Sequence, residues 1–253
     1  MSAQSYSALH PAPICETLSR LARRIEERFP GSGLGRVAKE LVVIAGEDQR
    51  ALEDVQRPLW WVRSFTVVTI VALAALVIWA GLQLVHAVEL KKVSVAELLQ
   101  GLDAATNEVI VLSLGLYFLV SLEARLKRRA ALRRLHRLRS VAHVVDMHQL
   151  TKDPEYALRP VTPTPSSPMR NFSRAQLARY LDYCSELLAL TSKLAALHAQ
   201  HLQDPVVLDA VNDIETLTSD LSRKIWQKIT IIDIGNPQLA ARQESRSPDE
   251  ALS

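Results

Sequence analysis

Two long stretches of the sequence lack Asp, Glu, Lys and Arg, and they constrain the fold more than any other feature. The first runs from Ser64 to Val88 and the second from Val109 to Leu122, whereas charged residues are frequent on both sides of each. A helix needs about 20 mostly apolar residues to cross the hydrocarbon core of a bilayer. The second stretch reaches this length when residues 104–108 are added. The sequence therefore predicts two membrane-spanning helices, at about 64–86 and 104–122.

Tryptophans stand near both ends of the first predicted span. Trp60 and Trp61 precede it, and the rise of a helix puts Trp79 about 27 Å further along. Indole rings are enriched at the two interfaces between a membrane and water. We therefore expect these three residues to be interface anchors.

The composition outside the spans is that of helices. The 253 residues include only 8 glycines and 4 phenylalanines, while helix-forming residue types are abundant. The predicted fold class is an all-α membrane protein, in which a two-span transmembrane helical hairpin is combined with a cytoplasmic helical bundle or coiled-coil elements.

Basic residues predict the orientation of the hairpin. Eight Lys and Arg residues and no acidic residue lie between positions 125 and 139, directly after the second span, and the first of them are Arg125, Lys127, Arg128 and Arg129. The loop between the spans offers only Lys91 and Lys92, against three acidic residues. Because Lys and Arg are enriched on the cytoplasmic side, both termini are expected there. The expected location is the inner (plasma) membrane of a bacterium.

The same basic cluster suggests lipid as a partner. Basic residues close to a membrane surface attract anionic head groups by about 1 kcal/mol each, so Arg125, Lys127, Arg128 and Arg129 are the predicted lipid contacts. Nucleic acid is not an expected partner, because the cluster directly follows a span. Further along, Arg133 to Arg139 are expected to pair with acidic residues of the incoming helix: Glu47, Asp48, Glu53 and Asp54.

Pro, Gly and capping signals divide the chain into six segments. These are N-terminal cytoplasmic helices (1–58), the transmembrane hairpin (59–123), a basic continuation of the second span (124–150), a Pro/Thr/Ser-rich linker (151–172), a cytoplasmic helical hairpin (173–234) and a disordered tail (235–253). In the loop between the spans, Ser94 and Glu97 form a capping box that predicts a separate short helix, either interfacial or re-entrant. A second capping box, Ser173 with Gln176, opens the later hairpin.

Apolar residues after the second span repeat at alternating spacings of four and three, which is typical of a coiled-coil seam. They are Ala131, Leu135, Leu138, Ala142 and Val145. Two heptads leave two alternatives open. The seam packs either against another helix of the same chain or between subunits.

One residue group has the chemistry of a weak metal or acid-base site. At about 100° per residue, His143 and Asp146 share a helix face while His148 points away, so the three cannot converge without another segment. A hydrogen-bonded pair of His143 and Asp146 is the simpler interpretation, and a zinc site completed by His198 or His201 is the alternative. We expect no bound metal and no cofactor.

Polar and small residues of the second span suggest a pore lining. Glu108 lies near its outer end, and repeated around the axis of an oligomer it would form an acidic ring that attracts cations. Ser113 and Gly115 are the other lining candidates. In an anchor, by contrast, only Leu and Val would face lipid.

The sequence thus favours a non-enzymatic, homo-oligomeric two-span protein that forms a pore or acts as a membrane effector, gated by its cytoplasmic helices. The alternative is a membrane-anchored scaffold whose cytoplasmic hairpin docks a protein partner. A metal-dependent activity at His143, Asp146 and His148 is a third and weaker hypothesis.

Overall fold

The computed structural model describes residues 8–56, 60–90, 95–152 and 172–234 of the chain. These residues form α-helices and no strand: α1 (Pro11–Arg28), α2 (Gly33–Gln56), α3 (Trp60–Leu90), α4 (Val95–Leu150), α5 (Arg174–His201) and α6 (Pro205–Ile234). The predicted all-α class is confirmed. The predicted linker and tail fall largely on residues 153–171 and 235–253, which lie outside the described ranges.

The chain divides into two compact units. The first contains residues 1–54 and 131–253, and the second contains residues 55–130. The first unit is therefore built from segments on both sides of the two apolar stretches, which belong to the second.

The first unit has one continuous apolar core to which α1, α2, the end of α4, α5 and α6 all contribute. Helix α1 is amphipathic and buries Leu18 and Ile25 completely. The predicted seam of α4 is buried within this core of the same chain, at Ala131, Leu135, Leu138, Ala142 and Val145. The seam therefore packs against other helices of the same chain, which is one of the two alternatives that the sequence left open.

A sharp turn joins α1 to α2. Gly31 has φ of 70°, which a residue with a Cβ rarely adopts, and the amide of Ser32 donates to the carbonyl of Phe29 at 3.2 Å. The turn allows the apolar faces of α1 and α2 to enter the same core.

Helices α5 and α6 form the hairpin that the capping signals predict. The side chain of Ser173 accepts from the amide of Gln176 and the side chain of Gln176 accepts from the amide of Ser173, so the capping box is present. Three residues separate the helices, and Asp204 caps α6 by accepting from the amide of Val206 at 3.1 Å. Pro205 stands at the first helical position, where its missing N–H costs nothing.

The prediction of a separate short helix between the spans is wrong. Helix α4 begins at Val95 and continues without interruption to Leu150, so the short helix and the second span are one element. Gly101 does not break it, because glycine inside a helix costs only about 1 kcal/mol and no proline follows before residue 150. Ser94, the predicted N-cap, lies outside the described residues.

Candidate functional site

Within the two apolar stretches, in α3 and in the first part of α4, most of the described apolar side chains lie on the surface of the chain rather than in a core. In α3, Val68 and Ile78 are 66% and 63% exposed, and in α4 Leu114 is 69% exposed. Both helices are long and apolar enough to cross a membrane. Contiguous exposed apolar surface on this scale marks contact with lipid or with another protein, so these two helices form the candidate membrane region.

Hydroxyl groups within this region are satisfied by their own helices. Thr66 Oγ1 donates to the carbonyl of Val62 at 2.8 Å, and Thr69 Oγ1 donates to the carbonyl of Phe65 at 2.9 Å. Ser121 in α4 donates to a carbonyl three residues earlier. Such bonds remove the cost of an unpaired polar group in hydrocarbon.

An ion-pair cluster joins α3 and α4 at one end of the apolar region. Glu123 Oε2 lies 3.0 Å from Nε of Arg63, and its Oε1 lies 3.0 Å from Nζ of Lys127. Arg63 belongs to the first turn of α3, whereas Glu123 follows the apolar stretch of α4. The two helices therefore meet here with opposite chain directions, as a hairpin requires.

The remaining predicted lipid contacts have mixed surroundings. The Arg125 guanidinium lies 5.0 Å from the centre of the Phe118 ring and donates to Ser121 Oγ at 3.1 Å. Arg129 is exposed, while Lys127 and Arg128 are half-buried. Their contact with lipid stays a prediction.

The predicted interface anchors are among the most exposed residues of the chain. Trp60, Trp61 and Trp79 are 72%, 67% and 60% exposed. An indole ring is amphipathic and gains little from facing bulk water. Their position at the interface stays a prediction. A side chain that contacts lipid head groups must be exposed on the surface of the chain, and these three are.

The three pore candidates all belong to α4, but they do not share one face. Gly115 follows Glu108 by seven residues, so the two lie on the same side of the helix, whereas Ser113 lies about 140° from Glu108. Ser113 and Gly115 are exposed, and the space beside Gly115 is open in this chain. The side chain of Glu108 lies outside the described ones. If α4 lines a pore, Glu108 and Gly115 can therefore face it together, whereas Ser113 lies on another face of the helix.

The weak metal candidates do not converge. Asp146 accepts a hydrogen bond from Gln149 at 2.6 Å. His143 is exposed, and its predicted pairing with Asp146 is not present in the structure. Over the ranges that the structure describes, no three His, Cys, Asp or Glu side chains form a group able to hold a metal ion. His201 Nδ1 lies 2.7 Å from the carbonyl oxygen of Leu197, and His198 has a different partner, described next.

A buried charged network links three helices of the first unit. Asp48 of α2 is 2% exposed, and its Oδ1 lies 2.9 Å from Nη1 of Arg134 in α4. Its Oδ2 lies 3.3 Å from Nε2 of His198 in α5, which is 3% exposed. Arg134 also donates to the carbonyl of Glu47 at 3.2 Å. The carboxylate is thus paired on both oxygens, which a buried charge requires.

Two of the basic residues of α4, Arg134 and Arg137, pair as the sequence predicts, whereas Arg139 lies 3.9 Å from Asp213 of α6. Besides the Arg134–Asp48 pair, Arg137 lies 2.5 Å from Glu47. The side chains of Glu53 and Asp54 lie outside the described ones. This part of the prediction is confirmed for Glu47 and Asp48.

A lysine of α6 forms hydrogen bonds with the C-terminal end of α4. Lys228 Nζ donates to the carbonyl of Gln149 at 3.1 Å and to its side-chain oxygen at 2.6 Å. A cation at this position satisfies an unpaired carbonyl and interacts favourably with the helix dipole. Both ends of the bundle segment of α4 are therefore held by charged contacts.

His148 covers the start of α2. A Cβ added to Gly33 would lie 2.2 Å from His148 Cε1, so only glycine fits beneath the ring. Burial lowers the pKa of His148, and the charges of Arg36 and Lys152 lower it further. The imidazole therefore favours its neutral form.

Neither cysteine is activated. Burial raises the pKa of Cys184 to about 12. Burial, followed by the negative charge of Asp48, also raises the pKa of Cys15. Since the thiolate is the nucleophile, both thiols are poorly suited to covalent catalysis.

Sequence reasoning missed the pairing of Asp48 with His198, although a signal was present. His198 follows Cys184, Leu188 and Ala195 on the apolar stripe of α5, at spacings of four, seven and three. A histidine on such a stripe needs a buried polar partner. The pattern does not say which helix supplies it.

No protein-family model, no curated protein and no solved structure matches this chain.

Proposed function

We propose that the chain is an integral membrane protein that crosses the bilayer twice, through α3 and the first part of α4. The exposed apolar surface of both helices supports this proposal. The observation that carries it is the composition of the first unit's core. Leu18 and Leu41, which precede the apolar stretches, are buried in one cluster with Leu135 and Leu181, which follow them. Segments that share a core must lie on the same side of a membrane, so the number of crossings is even.

The side on which this core lies is the cytoplasm. The support is the excess of Lys and Arg next to the spans on the side of the core, including Arg63 and Arg125. This orientation places the C-terminal end of α3 and the N-terminal end of α4 on the opposite side of the membrane.

The function that we propose for this protein is non-enzymatic. Several copies pack around a common axis and form a pore or otherwise perturb the bilayer. Glu108 is the main support, because an ionisable residue within an apolar span is rare and is most often functional. Gly115 lies on the same face and gives neighbouring helices room to approach.

Helix α4 provides the means of gating. It runs from the span into the first unit, where its Arg134 pairs with Asp48 of α2 and its Gln149 accepts from Lys228 of α6. A signal that rearranges these contacts acts on one end of a continuous helix. The other end of that helix lines the pore.

Ion flux through liposomes that contain the purified protein tests this proposal. We expect flux in wild type and a loss of cation selectivity in Glu108→Gln. Asp103→Asn is the matched control, because it removes a carboxylate five residues away on another face of α4, and it should leave selectivity unchanged. Tight liposomes over a range of voltages and lipid compositions, with protein that remains folded, would refute the pore.

A second candidate function is a membrane-anchored scaffold, and one observation favours it. Trp226 of α6 is 58% exposed, and Leu208, five helical turns earlier on the same face, is 43% exposed. Tryptophan is enriched among the residues that dominate binding energy at protein interfaces. If the liposomes stay tight, a photo-crosslinking residue in place of Trp226 should capture one specific cytoplasmic partner, and a lack of any crosslink would remove this candidate.

A further inference from the structure

An apolar groove runs between α2 and α4 on the surface of the first unit. Its volume is about 570 Å³, and its floor is formed by Val37 and Ile44 of α2 with Val141 and Val144 of α4. The groove is open along one side. A further helix can pack into a groove between two helices.

Apolar side chains protrude beside this groove. Val43 and Met147 each follow a groove residue, Glu40 and Val144, by three positions, which places them beside it on the helix surface. They are 54% and 66% exposed, and Val144 itself is 38% exposed. The same surface therefore carries both an apolar depression and an apolar ridge. Such a surface is complementary to a second copy of itself, because the ridge of each copy enters the groove of the other.

The charges along the groove also suit a second copy. Glu40 is 63% exposed, and its nearest cation, Arg137, lies 3.9 Å away and is bound more closely by Glu47. His136 lines the same groove and is exposed. The α2 wall of the groove thus carries Arg36 and Glu40, and the α4 wall carries His136 and Arg137. A surface with both signs of charge suits self-association better than a partner of one strong charge.

We propose that this α2–α4 face is the interface between two copies of the chain, related by a two-fold axis that runs along the two helices. This inference rests on the proposed homo-oligomer and names its contact surface. A rotation about this axis leaves each residue of the second copy at the same level along the helices as its counterpart in the first. Glu40 and Arg137 lie at one level within a copy, so Glu40 of one copy meets Arg137 and His136 of the second.

Crosslinking of the full-length protein in membranes tests the location of the interface. Val144→Cys in a Cys15→Ser background should form covalent dimers with a short bis-maleimide. Val206→Cys is the matched control, because this valine of α6 is 45% exposed and lies away from the groove. Dimers from Val144→Cys alone would support the interface. Equal dimer yields from both variants, or none from Val144→Cys, would overturn it.

Charge reversal tests the pairing across the interface. Glu40→Lys should raise the dissociation constant of the dimer roughly five- to tenfold, since each dimer contains two such contacts. The double variant Glu40→Lys/His136→Glu should restore it, and failure to restore would overturn the assigned register. Crosslinking and dissociation are measured without ion flux. Tight liposomes with intact Val144→Cys dimers would therefore refute only the pore, whereas flux without these dimers would refute only this interface.

Discussion

Substitution of Asp48 by alanine removes the carboxylate at the centre of the buried network. It leaves Arg134 and His198 without their common partner, and His198 is only 3% exposed. Loss of one partner of a buried ion pair costs about 3–5 kcal/mol. The Arg134 side chain is 30% exposed and regains some water, so we expect a loss of about 2–3 kcal/mol in the free energy of unfolding.

The neighbouring residue supplies the control. Glu47→Ala removes the partner of Arg137 in a pair whose side chains are 46% and 45% exposed, and exposed pairs contribute less than about 1 kcal/mol. In a domain of this size each kcal/mol shifts the melting temperature by about 2–4 °C. Asp48→Ala should therefore melt roughly 4–12 °C below wild type by circular dichroism in detergent.

The comparison of these two variants tests whether burial makes the network important for stability. Equal melting temperatures for Asp48→Ala and Glu47→Ala would refute the argument that burial makes the network important. A double-mutant cycle with His198→Ala then separates the two contacts of the carboxylate. We expect the two substitutions to be clearly non-additive, because they remove the same contact.

Three further predictions concern positions where the structure fixes the sign of the effect. Gly33→Ala should destabilise the protein by about 1 kcal/mol because the new Cβ displaces the His148 ring. Gly46 has open space around it, so Gly46→Ala should stabilise the protein by about 0.5–1 kcal/mol. Thermal melts that reverse this order would contradict the packing. The pKa of His148 is lower in the folded protein than in the unfolded chain, so its contribution to stability is present above the unfolded value of about 6.5 and is lost as the pH falls below it. The melting temperature of wild type should thus fall more than that of His148→Gln between about pH 8 and about pH 5, and parallel curves would contradict this assignment. Maleimide at neutral pH should label the native protein slowly at Cys15 and leave Cys184, whose pKa is raised to about 12, unmodified until unfolding; rapid native labelling of Cys184, detected by mass spectrometry, would be inconsistent with its burial.

Local signals in the sequence predicted much of the first unit. Ser173 with Gln176, and Asp204 with Pro205, identify helix starts because each motif satisfies amides that a helix leaves unpaired. The stripe from Ala131 to Val145 identifies a buried face in the same way. These features depend on neighbours within one or two helical turns.

The features that sequence reasoning missed depend on partners that are distant along the chain. Asp48 and His198 are separated by 150 positions, and the apolar stripe that contains His198 does not identify Asp48 as its partner. The unbroken start of α4 at Val95 was missed for the opposite reason. A local capping signal was given more weight than the absence of a helix breaker after it.

The discontinuous first unit has a consequence for the synthesis of the protein. Helices α1 and α2 leave the ribosome early, but most residues of the apolar core that they share belong to α4, α5 and α6. About 180 further residues must be translated after residue 54, which takes roughly 10–40 s at the usual rate of a ribosome. During this interval the N-terminal helices have exposed apolar faces. A chaperone that holds them, or rapid degradation of chains truncated before α5, would follow directly from this order of assembly.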